Sequence, residues 1–345
     1  MTQASPRASI SGFTFIRNGV MLGFPFVESI RSLLPLVDEF VVAVGRSDDD
    51  TLARVQAIGD PKIRILETVW NERMGDRGFV YAQQKMMAQY ACTGDWAFYL
   101  EGDEVVHESE LAAIRASVDR HHDNPAVEAL VFDYLHFYGT PAYVSISPGW
   151  YRRECRLIRN TIRTYAPDGQ YWLVMHQHKR PRNPQGALAN AHIHHYGWVR
   201  KAEQMQAKLD QVAKFWKGST VMQINYANFD PKAVKPFTGT HPAVMAHWLA
   251  TEAEQSITFN PDGTYTSTCQ PIPYFPATNC PSPAGTFGKD IGSVYFKLTG
   301  TDGKIMAFRD DGTSPPKSST RICDSFITCR ALELNRPMVL MWPSS

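Results

Sequence analysis

Three features that are absent from this sequence narrow the class of protein. No stretch approaches about twenty uninterrupted apolar residues, so no transmembrane span is expected. The 35 lysines and arginines nearly match the 34 acidic residues, and a net charge of +1 argues against a protein that holds nucleic acid by bulk charge. Residues 1–11 lack a basic start followed by an apolar run, so no secretory signal is expected and the cytoplasm is the default compartment.

Cysteine is too sparse to suggest a disulfide framework or a structural zinc site. The six cysteines include no Cys-x-x-Cys pair. Cys92 and Cys155 stand in apolar or basic surroundings, and we expect them to be small core residues. The other four fall in the last quarter of the chain: Cys269, Cys280, Cys323 and Cys329. Disulfides among these would need an oxidising compartment, which nothing else in the sequence suggests.

The composition changes near residue 260. A chain of 345 residues favours one large domain with an appendage, and 43% hydrophobic residues suffice for a sizeable core. We therefore predict a domain over residues 1–260 and a tail over 261–345 that is rich in proline, serine and threonine. The tail is expected to be loop-rich, partly disordered or a small β segment. Its one recognisable signal is a hairpin, with strands at 294–298 and 304–308 around the turn Thr301-Asp302-Gly303.

Strand and helix patterns alternate along the first hundred residues. Apolar runs predict strands at 11–17, 39–45, 62–66 and 96–100, and helical spacing predicts helices from about Pro25, over about 51–58 and over 78–91. Further along, we expect helices over 110–121 and 200–215 and strands over 129–138, 171–175 and 191–199. In the helix at 78–91 the candidate core contacts are Val80, Met86, Met87 and Tyr90. The alternation predicts an α/β fold with a mostly parallel central sheet and helices on both faces.

The run Asp95-Trp96-Ala97-Phe98-Tyr99-Leu100-Glu101-Gly102-Asp103-Glu104 is the most informative segment. Its apolar part reads as a buried strand that stops at closely spaced carboxylates. Carboxylates at the exit of a central strand suit a hard divalent cation and the phosphates that it neutralises. The alternative is a polar strand end in water.

Two segments give the chain a resemblance to a known family. Ser47-Asp48-Asp49-Asp50-Thr51 resembles a Ser-x-Asp-Gly-Thr turn, with Asp50 in place of the glycine, and Tyr99-Leu100-Glu101-Gly102-Asp103-Glu104 resembles a Leu-Asp-Ala-Asp-Glu motif. Together with the strand Thr14-Phe15-Ile16-Arg17-Asn18 and the helix after it, they resemble the family 2-like glycosyltransferases, which have the nucleotide-sugar-binding GT-A fold. The resemblance covers about residues 11–248. Glu101 replaces the usual first aspartate, and Val44-Gly45 stands where relatives carry an acid that meets the base.

The resemblance implies a donor site and a divalent cation, manganese or magnesium. The positions that match the nucleotide-sugar site are Thr14, Arg17, Asp49, Gln83, Gly102 and Asp103. Glu101, Asp103 and His195 would hold the cation, which would bridge the two phosphates and assist their departure. Arg17 can equally be a surface charge. A His195 ligand competes with the common alternative of a hydrogen-bonded core histidine.

The acceptor hydroxyl needs a general base, and a carboxylate is the usual choice. Asp168 ranks first because it follows the basic segment at 151–159, where similar enzymes place a catalytic acid. A turn aspartate between proline and glycine is the alternative. Glu154 ranks second, and between Arg153 and Arg156 it can instead be a paired structural charge.

Three further clusters of residues each leave two interpretations open. The histidines His176, His178, His192, His194 and His195 could form an unrelated zinc or iron site, although their spacing matches no compact ligand pattern. The aromatic residues Trp150, Tyr151, Trp172 and Trp198 could line a sugar site or belong to the core. The arginines Arg152, Arg153 and Arg156 could meet phosphates or form a solvated basic face.

The sequence thus predicts a metal-dependent, inverting glycosyltransferase. It would take a nucleotide-sugar donor and a glycan, lipid-linked or other hydroxyl acceptor, without nucleic acid, and peripheral association with a membrane stays open. The alternatives are a non-catalytic nucleotide-sugar or glycan-binding protein on a degenerate GT-A scaffold and a histidine-cluster metalloenzyme. The transferase interpretation as a whole requires Asp103 to face a cavity. Burial of Asp103 against a lysine or arginine, with no room for an ion, would remove the basis of the transferase interpretation.

Overall fold

The computed structural model describes residues 7–147, 150–177, 179–215 and 233–253, and the backbone of four short strands beyond them. Four parallel strands form one half of its main sheet: β1 (Ile10–Ile16), β2 (Glu39–Gly45), β3 (Ile63–Thr68) and β4 (Trp96–Tyr99). They lie in the spatial order β4-β1-β2-β3. Strands β1, β2 and β4 are almost wholly buried, as apolar runs without polar alternation predict.

Helices cover both faces of this sheet, which confirms the predicted α/β class. The helices are α1 (Phe26–Leu33), α2 (Thr51–Gln56), α3 (Phe79–Tyr90), α4 (Leu111–His122), α5 (Ala202–Phe215) and α6 (Ala246–Thr251). Short 3₁₀ turns lie at Glu72–Met74, Asp76–Gly78, Glu108–Glu110 and Ala243–Met245. Ile30 of α1, Val55 of α2 and Ile114 of α4 pack into one core, whereas Ala88 of α3 packs into a second. None of the helices in the described part of the chain has the length and apolarity that a bilayer crossing requires.

The sheet continues beyond β4 through antiparallel neighbours. β8 (Arg153–Arg159) pairs antiparallel with β4 and with β6 (Ala129–Tyr138). β11 (Gly186–Trp198) runs parallel to β6, and β5 (Glu104–Val106) pairs antiparallel with β11. The remaining short strands of this region are β7 (Thr140–Ser145), β9 (Thr164–Tyr165), β10 (Leu173–Val174) and β12 (Val234–Pro236). Because β8 borders β4, the basic segment of the sequence lies in the middle of the sheet.

Two hairpins follow in the last third of the chain. β13 (Ile257–Phe259) pairs antiparallel with β14 (Tyr265–Ser267), and β15 (Tyr295–Thr299) pairs antiparallel with β16 (Ile305–Arg309). The second pair confirms the hairpin that the sequence predicts, shifted by one residue. The predicted turn at 301–303 and the four late cysteines lie outside the described residues. The domain boundary at residue 260 stays a prediction.

The buried face of α3 differs from the one that the sequence predicts. Met87 and Tyr90 are exposed, so they are not core contacts, whereas the polar residues Gln84 and Lys85 are buried. Gln84 can be buried because its Oε1 accepts a hydrogen bond of 2.5 Å from the hydroxyl of Thr68. A satisfied polar group costs little inside a protein, so hydrophobicity alone does not identify this face.

Candidate functional site

A cleft opens at the carboxyl ends of β1 and β4, where a parallel sheet normally places its ligand site. It holds about 860 Å³ of space between protein atoms, part of it open to solvent. The structure brings together five of the predicted site residues in its lining: Arg17, Glu101, Gly102, Asp103 and Asp168. Helix α5 adds Lys208 and Gln211, and an aromatic group completes the walls: Phe15, Phe24, Trp70, Tyr81 and Tyr99.

The turn after β4, residues 101–104, is held rigidly; we call it the acidic turn. The backbone N–H of Glu104 donates to the carbonyl of Glu101 at 3.0 Å, and the N–H of Glu101 donates to Glu104 Oε2 at 3.0 Å. Strand β11 also holds the acidic turn, because the N–H of Tyr196 donates to the Asp103 carbonyl at 2.8 Å. The acidic side chains are therefore fixed in place before any ligand arrives.

Asp103 is paired with two basic side chains. Its Oδ2 accepts from Arg200 at 2.5 Å and from Lys208 at 2.8 Å. Burial alone would raise the pKa of Asp103, but the charges of Lys208 and Arg200 hold it well below its usual value. Its Oδ1 has no hydrogen-bond partner among the described residues, and His195 Nε2 lies 3.7 Å from it.

The other two carboxylates of the acidic turn share one arginine from β8. Arg156 Nη2 donates to Glu104 Oε1 at 2.8 Å and to Glu101 Oε1 at 3.0 Å, and its Nε donates to Glu104 Oε2 at 2.8 Å. The hydroxyl of Tyr134 donates to Glu104 at 2.7 Å. Burial first, and then the neighbouring Glu104 charge, raise the pKa of Glu101 to about 8.

These pairs decide whether a divalent cation fits. Arg156 pairs with both Glu101 and Glu104, and Arg200 and Lys208 both pair with Asp103, so three cations face three carboxylates and the turn has no excess negative charge for a metal ion. A divalent ion about 4 Å from the Lys208 ammonium would meet roughly 8 kcal/mol of repulsion at an effective dielectric constant of 20. The residues present therefore do not fit the cation that the sequence analysis expects at Glu101, Asp103 and His195.

Asp168 lies on the loop between β9 and β10, on another side of the same cleft. The loop is anchored because Lys85 Nζ donates to the carbonyl of Gln170 at 2.7 Å, and Gly169 has a φ of +91° with its Cα close to Tyr81. Burial raises the pKa of Asp168 to about 6, although the N–H of Gln170 donates to its Oδ1 at 3.0 Å. A carboxylate with a pKa near neutrality is suited to accept a proton.

The aromatic wall reaches Gly45 at the end of β2. The indole of Trp70 lies where a side chain on Gly45 would be, because a Cβ there would be 2.4 Å from Trp70 Nε1. Arg17 stacks over Trp70, with its Cζ 5.5 Å from the ring centroid, and its Nη1 pairs with Glu72 at 2.6 Å. Arg17 is thus a fixed part of the cleft wall.

Five predicted site residues lie outside the cleft that the described residues enclose. Thr14 is buried and its hydroxyl donates to the Leu100 carbonyl at 2.7 Å, so it supports the acidic turn. Asp49 accepts from Met21 N–H at 2.7 Å and ties the loop after β1 to the start of α2. The other three are Gln83, Glu154 and His195, of which Glu154 is buried with its pKa raised to about 7 by burial.

The histidines that the sequence analysis groups together lie in separate environments. His195 Nδ1 lies 2.7 Å from His136 Nδ1, and burial lowers the pKa of His195 to about 3. His192 pairs with Glu110 at 2.6 Å, and His194 stacks on Phe137. His176 is exposed, and His178 lies outside the described residues. Within the part of the chain that the structure describes, no group of three or more His, Cys, Asp or Glu side chains could hold a metal ion.

Within the described residues, the aromatic and arginine clusters that the sequence analysis singles out do not line the cleft. Trp150, Trp172 and Trp198 are core residues with at most 4% of their surface exposed. Tyr151 packs edge-on against Tyr134, with ring centroids 4.9 Å apart. Arg156 is 1% exposed, so it is neither a solvated charge nor a phosphate ligand.

Sequence reasoning missed three basic residues around the site, namely Lys85, Arg200 and Lys208. Lys85 is buried, with its Nζ 3.8 Å from the ring centroid of Trp172, and burial together with Arg156 lowers its pKa to about 7. A signal did exist for Lys208. Met205, Lys208, Leu209 and Phe215 recur at helical spacing on the buried side of α5, so a lysine interrupts an apolar stripe.

No protein-family model matches the chain, and no curated protein matches it. Solved structures do match in part. S. aureus TarS in complex with UDP shares 18% identity over 37% of this chain and 36% of that chain, with a TM-score of 0.28. Glucosyl-3-phosphoglycerate synthase from Mycobacterium tuberculosis, in complex with Mn²⁺, UDP and glucosyl-3-phosphoglycerate, shares 20% identity over 38% of this chain and 44% of that chain, with a TM-score of 0.25.

Mannosyl-3-phosphoglycerate synthase from Rubrobacter xylanophilus shares 19% identity over 39% of this chain and 41% of that chain, with a TM-score of 0.26. The chain therefore spans less than half the length of these three structures. The partial structural likeness to nucleotide-sugar glycosyltransferases that the sequence predicts is therefore found. It is partial in coverage and low in identity.

Proposed function

We propose that this chain transfers a sugar from a nucleotide-diphosphate sugar to an acceptor hydroxyl. The observation that carries the proposal is the composition of the cleft, which combines an aromatic wall, a charged floor and a separate carboxylate at the ends of parallel strands. Aromatic faces suit a nucleobase, and basic side chains suit a diphosphate. The acceptor is a hydroxyl of a glycan, a lipid-linked glycan or another molecule.

Asp168 is the proposed general base. The acceptor oxygen attacks the anomeric carbon and forms the new glycosidic bond as the bond from that carbon to the diphosphate oxygen breaks. The electron pair of the broken bond leaves with the diphosphate, which gains one unit of negative charge, and the hydroxyl proton passes to Asp168. A single displacement of this kind inverts the anomeric configuration, which is the outcome that the family resemblance implies.

The nucleobase is proposed to lie against Trp70 and Tyr81. The two rings meet edge to face, with centroids 5.1 Å apart, and Tyr81 and Trp70 both line the cleft. Arg17 behind Trp70 orients this wall through its pair with Glu72. Stacking recognises any base, so the missing acid at Gly45 does not prevent nucleotide binding.

Transfer and hydrolysis assays with a panel of nucleotide-sugars test the proposal directly. Asp168→Asn should lower turnover by about 10²- to 10⁴-fold, the usual contribution of a general base, while the Kd for a nucleoside diphosphate stays within about twofold. Glu154→Gln separates the two carboxylate candidates, because the Glu154 side chain is outside the cleft and its loss should leave turnover within a few fold. Nucleotide binding without turnover across the panel would instead favour the non-catalytic binding protein.

A further inference from the structure

Helix α3 presents apolar side chains to the solvent. Phe79, Met87 and Tyr90 have 41%, 47% and 67% of their surface exposed. At about 100° per residue, these three positions fall within about 80° of one another around the helix axis. Gln83 lies between them, so this side of α3 carries no charged residue.

The buried side of α3 is partly polar. Lys85 is the one charged residue of the helix and is 0% exposed, and Gln84 and Gln89 are each 2% exposed. Each of the three makes a side-chain hydrogen bond inside the protein. A surface helix normally packs its apolar side against the core and turns charged residues to water. Burial in the core therefore does not explain why the exposed side of α3 is apolar.

The exposed apolar surface continues onto the end of β10. The hydroxyl of Tyr90 donates to the Thr164 carbonyl at 3.0 Å, and the N–H of Met175 donates to the carbonyl of the preceding residue, Arg163, at 2.7 Å. Met175, which is 48% exposed, therefore lies near Tyr90. Large exposed apolar side chains that lie together mark an interaction site, whereas single ones do not. We call these four residues the apolar patch: Phe79, Met87, Tyr90 and Met175.

Basic side chains border the apolar patch. Four of them are exposed and form no ion pair with an acid in the part of the chain that the structure describes: Arg77, Arg163, Lys179 and Arg180. Arg77 lies in the 3₁₀ turn before α3, Arg163 pairs with Met175 through the backbone, and the other two follow Met175 in the loop after β10. Asp76 beside Arg77 offsets one of these charges, so the border of the patch is positive.

We propose that the apolar patch binds an anionic lipid bilayer, with its side chains at the headgroup boundary and the four cations on the anionic headgroups. A helix with aromatic and aliphatic residues on its outer side lies in the plane of a membrane surface in this way, and nearby lysines and arginines add attraction to anionic lipid. The charge favours a bilayer over a second copy of the chain, because a twofold contact through this patch would bring like charges together. The inference goes beyond the proposed function and does not depend on it.

Sedimentation of the full chain with lipid vesicles tests the inference. Vesicles of equal parts phosphatidylcholine and phosphatidylglycerol should bind the chain at least about tenfold more strongly than phosphatidylcholine alone, and added NaCl should weaken this binding by screening the charges. The double variant Met87→Ser, Met175→Ser should bind the mixed vesicles at least about tenfold more weakly than the wild type, because it removes apolar contact with the bilayer. Arg163→Glu should weaken the binding by about fivefold or more.

Two exposed residues elsewhere supply the matched controls. Met21→Ser replaces a methionine of nearly equal exposure, 50% against 47% for Met87, in the loop after β1. Arg120→Glu reverses the charge of an exposed arginine on α4, whose Ile114 packs into the other core. Both variants should bind the mixed vesicles like the wild type.

Equal binding to the two kinds of vesicle, no binding to either, or a Met87→Ser, Met175→Ser variant that binds no more weakly than Met21→Ser would overturn the inference. Light scattering of the chain without lipid covers the remaining occupant. A dimer that the double variant dissociates would assign the patch to a second copy of the chain and overturn the bilayer proposal. Each of these results leaves the glycosyltransferase proposal standing, because the assays contain no nucleotide-sugar.

Discussion

Replacing Arg156 should destabilise the protein far more than replacing its neighbour Arg153 on the same strand. Arg156 is 1% exposed and makes two hydrogen bonds to Glu104, whose exposure is 0%, and a third to Glu101. Arg156→Met keeps a long apolar stem but leaves the Glu104 carboxylate buried without a counter-charge. Removing one partner of a buried ion pair costs about 3–5 kcal/mol, because the remaining charge cannot return to water.

The Arg153 pair supplies the comparison. Arg153 Nε donates to Asp133 at 2.7 Å, with the two side chains 29% and 35% exposed. Pairs of this kind contribute about 0–1 kcal/mol, because water solvates either partner alone. Arg153→Met should therefore lower the free energy of unfolding by no more than about 1 kcal/mol. The expected difference between the two variants is at least about 2 kcal/mol.

Urea unfolding followed by tryptophan fluorescence measures both values. The double variant Arg156→Met, Glu104→Gln should recover part of the loss, because it removes the orphaned charge, and contacting partners typically show a coupling energy of about 0.5–3 kcal/mol. If Arg156→Met cost no more than Arg153→Met, or if the double variant were additive, the acidic turn would not depend on this arginine for its charge balance.

Three further predictions concern other parts of the molecule. Burial would raise the pKa of Glu39, but hydrogen bonds, the one from Ser11 at 2.6 Å first among them, outweigh burial and lower this pKa from 4.5 to about 2. The stabilisation from Glu39 should therefore be complete at pH 7 and fade as the pH falls from about 4.5 towards 2. In urea titrations Glu39→Gln should cost roughly 1 kcal/mol at pH 7, after discounting for solvent screening, and nothing near pH 2. Gly197→Ala would place a Cβ 2.4 Å from His195 Nε2, a buried ring that cannot easily move, and should lower the free energy of unfolding by about 1–3 kcal/mol in the same assay. Trp70→Ala should weaken nucleoside diphosphate binding by about 1–3 kcal/mol while pyrophosphate binding stays unchanged, and equal losses for both probes would contradict a base-stacking role.

The sequence predicts the parallel half of the sheet well because local patterns determine it. The ranges Glu39–Gly45 and Ala129–Tyr138 match the observed strands at both ends, and α3 and α4 differ from their predicted ranges by one residue at each end. In the strands the continuous apolar runs follow burial, because these strands are covered on both faces.

The charge pairs of the site are not local, and for that reason the sequence does not reveal them. Arg156 meets Glu104 across 52 positions, and Lys208 meets Asp103 across 105. The sequence does not predict strand β8, because the arginines of this segment suggest a solvated face. In the structure Arg156 lies in the core, because it pairs with the acidic turn. Which carboxylate is matched by which cation depends on the order of strands in the sheet, and no spacing along the chain encodes that order.

The same pairing balances the charge of the acidic turn with cations that belong to the protein. A lysine and an arginine buried at the floor of a cleft need a counter-charge, since an uncompensated buried cation is costly. Asp103 supplies it, and it also fixes the ammonium of Lys208 at the cleft surface. The Glu101 side chain reaches Arg156 at 3.0 Å. The acidic turn thus holds cations that belong to the protein in fixed positions at the end of β4.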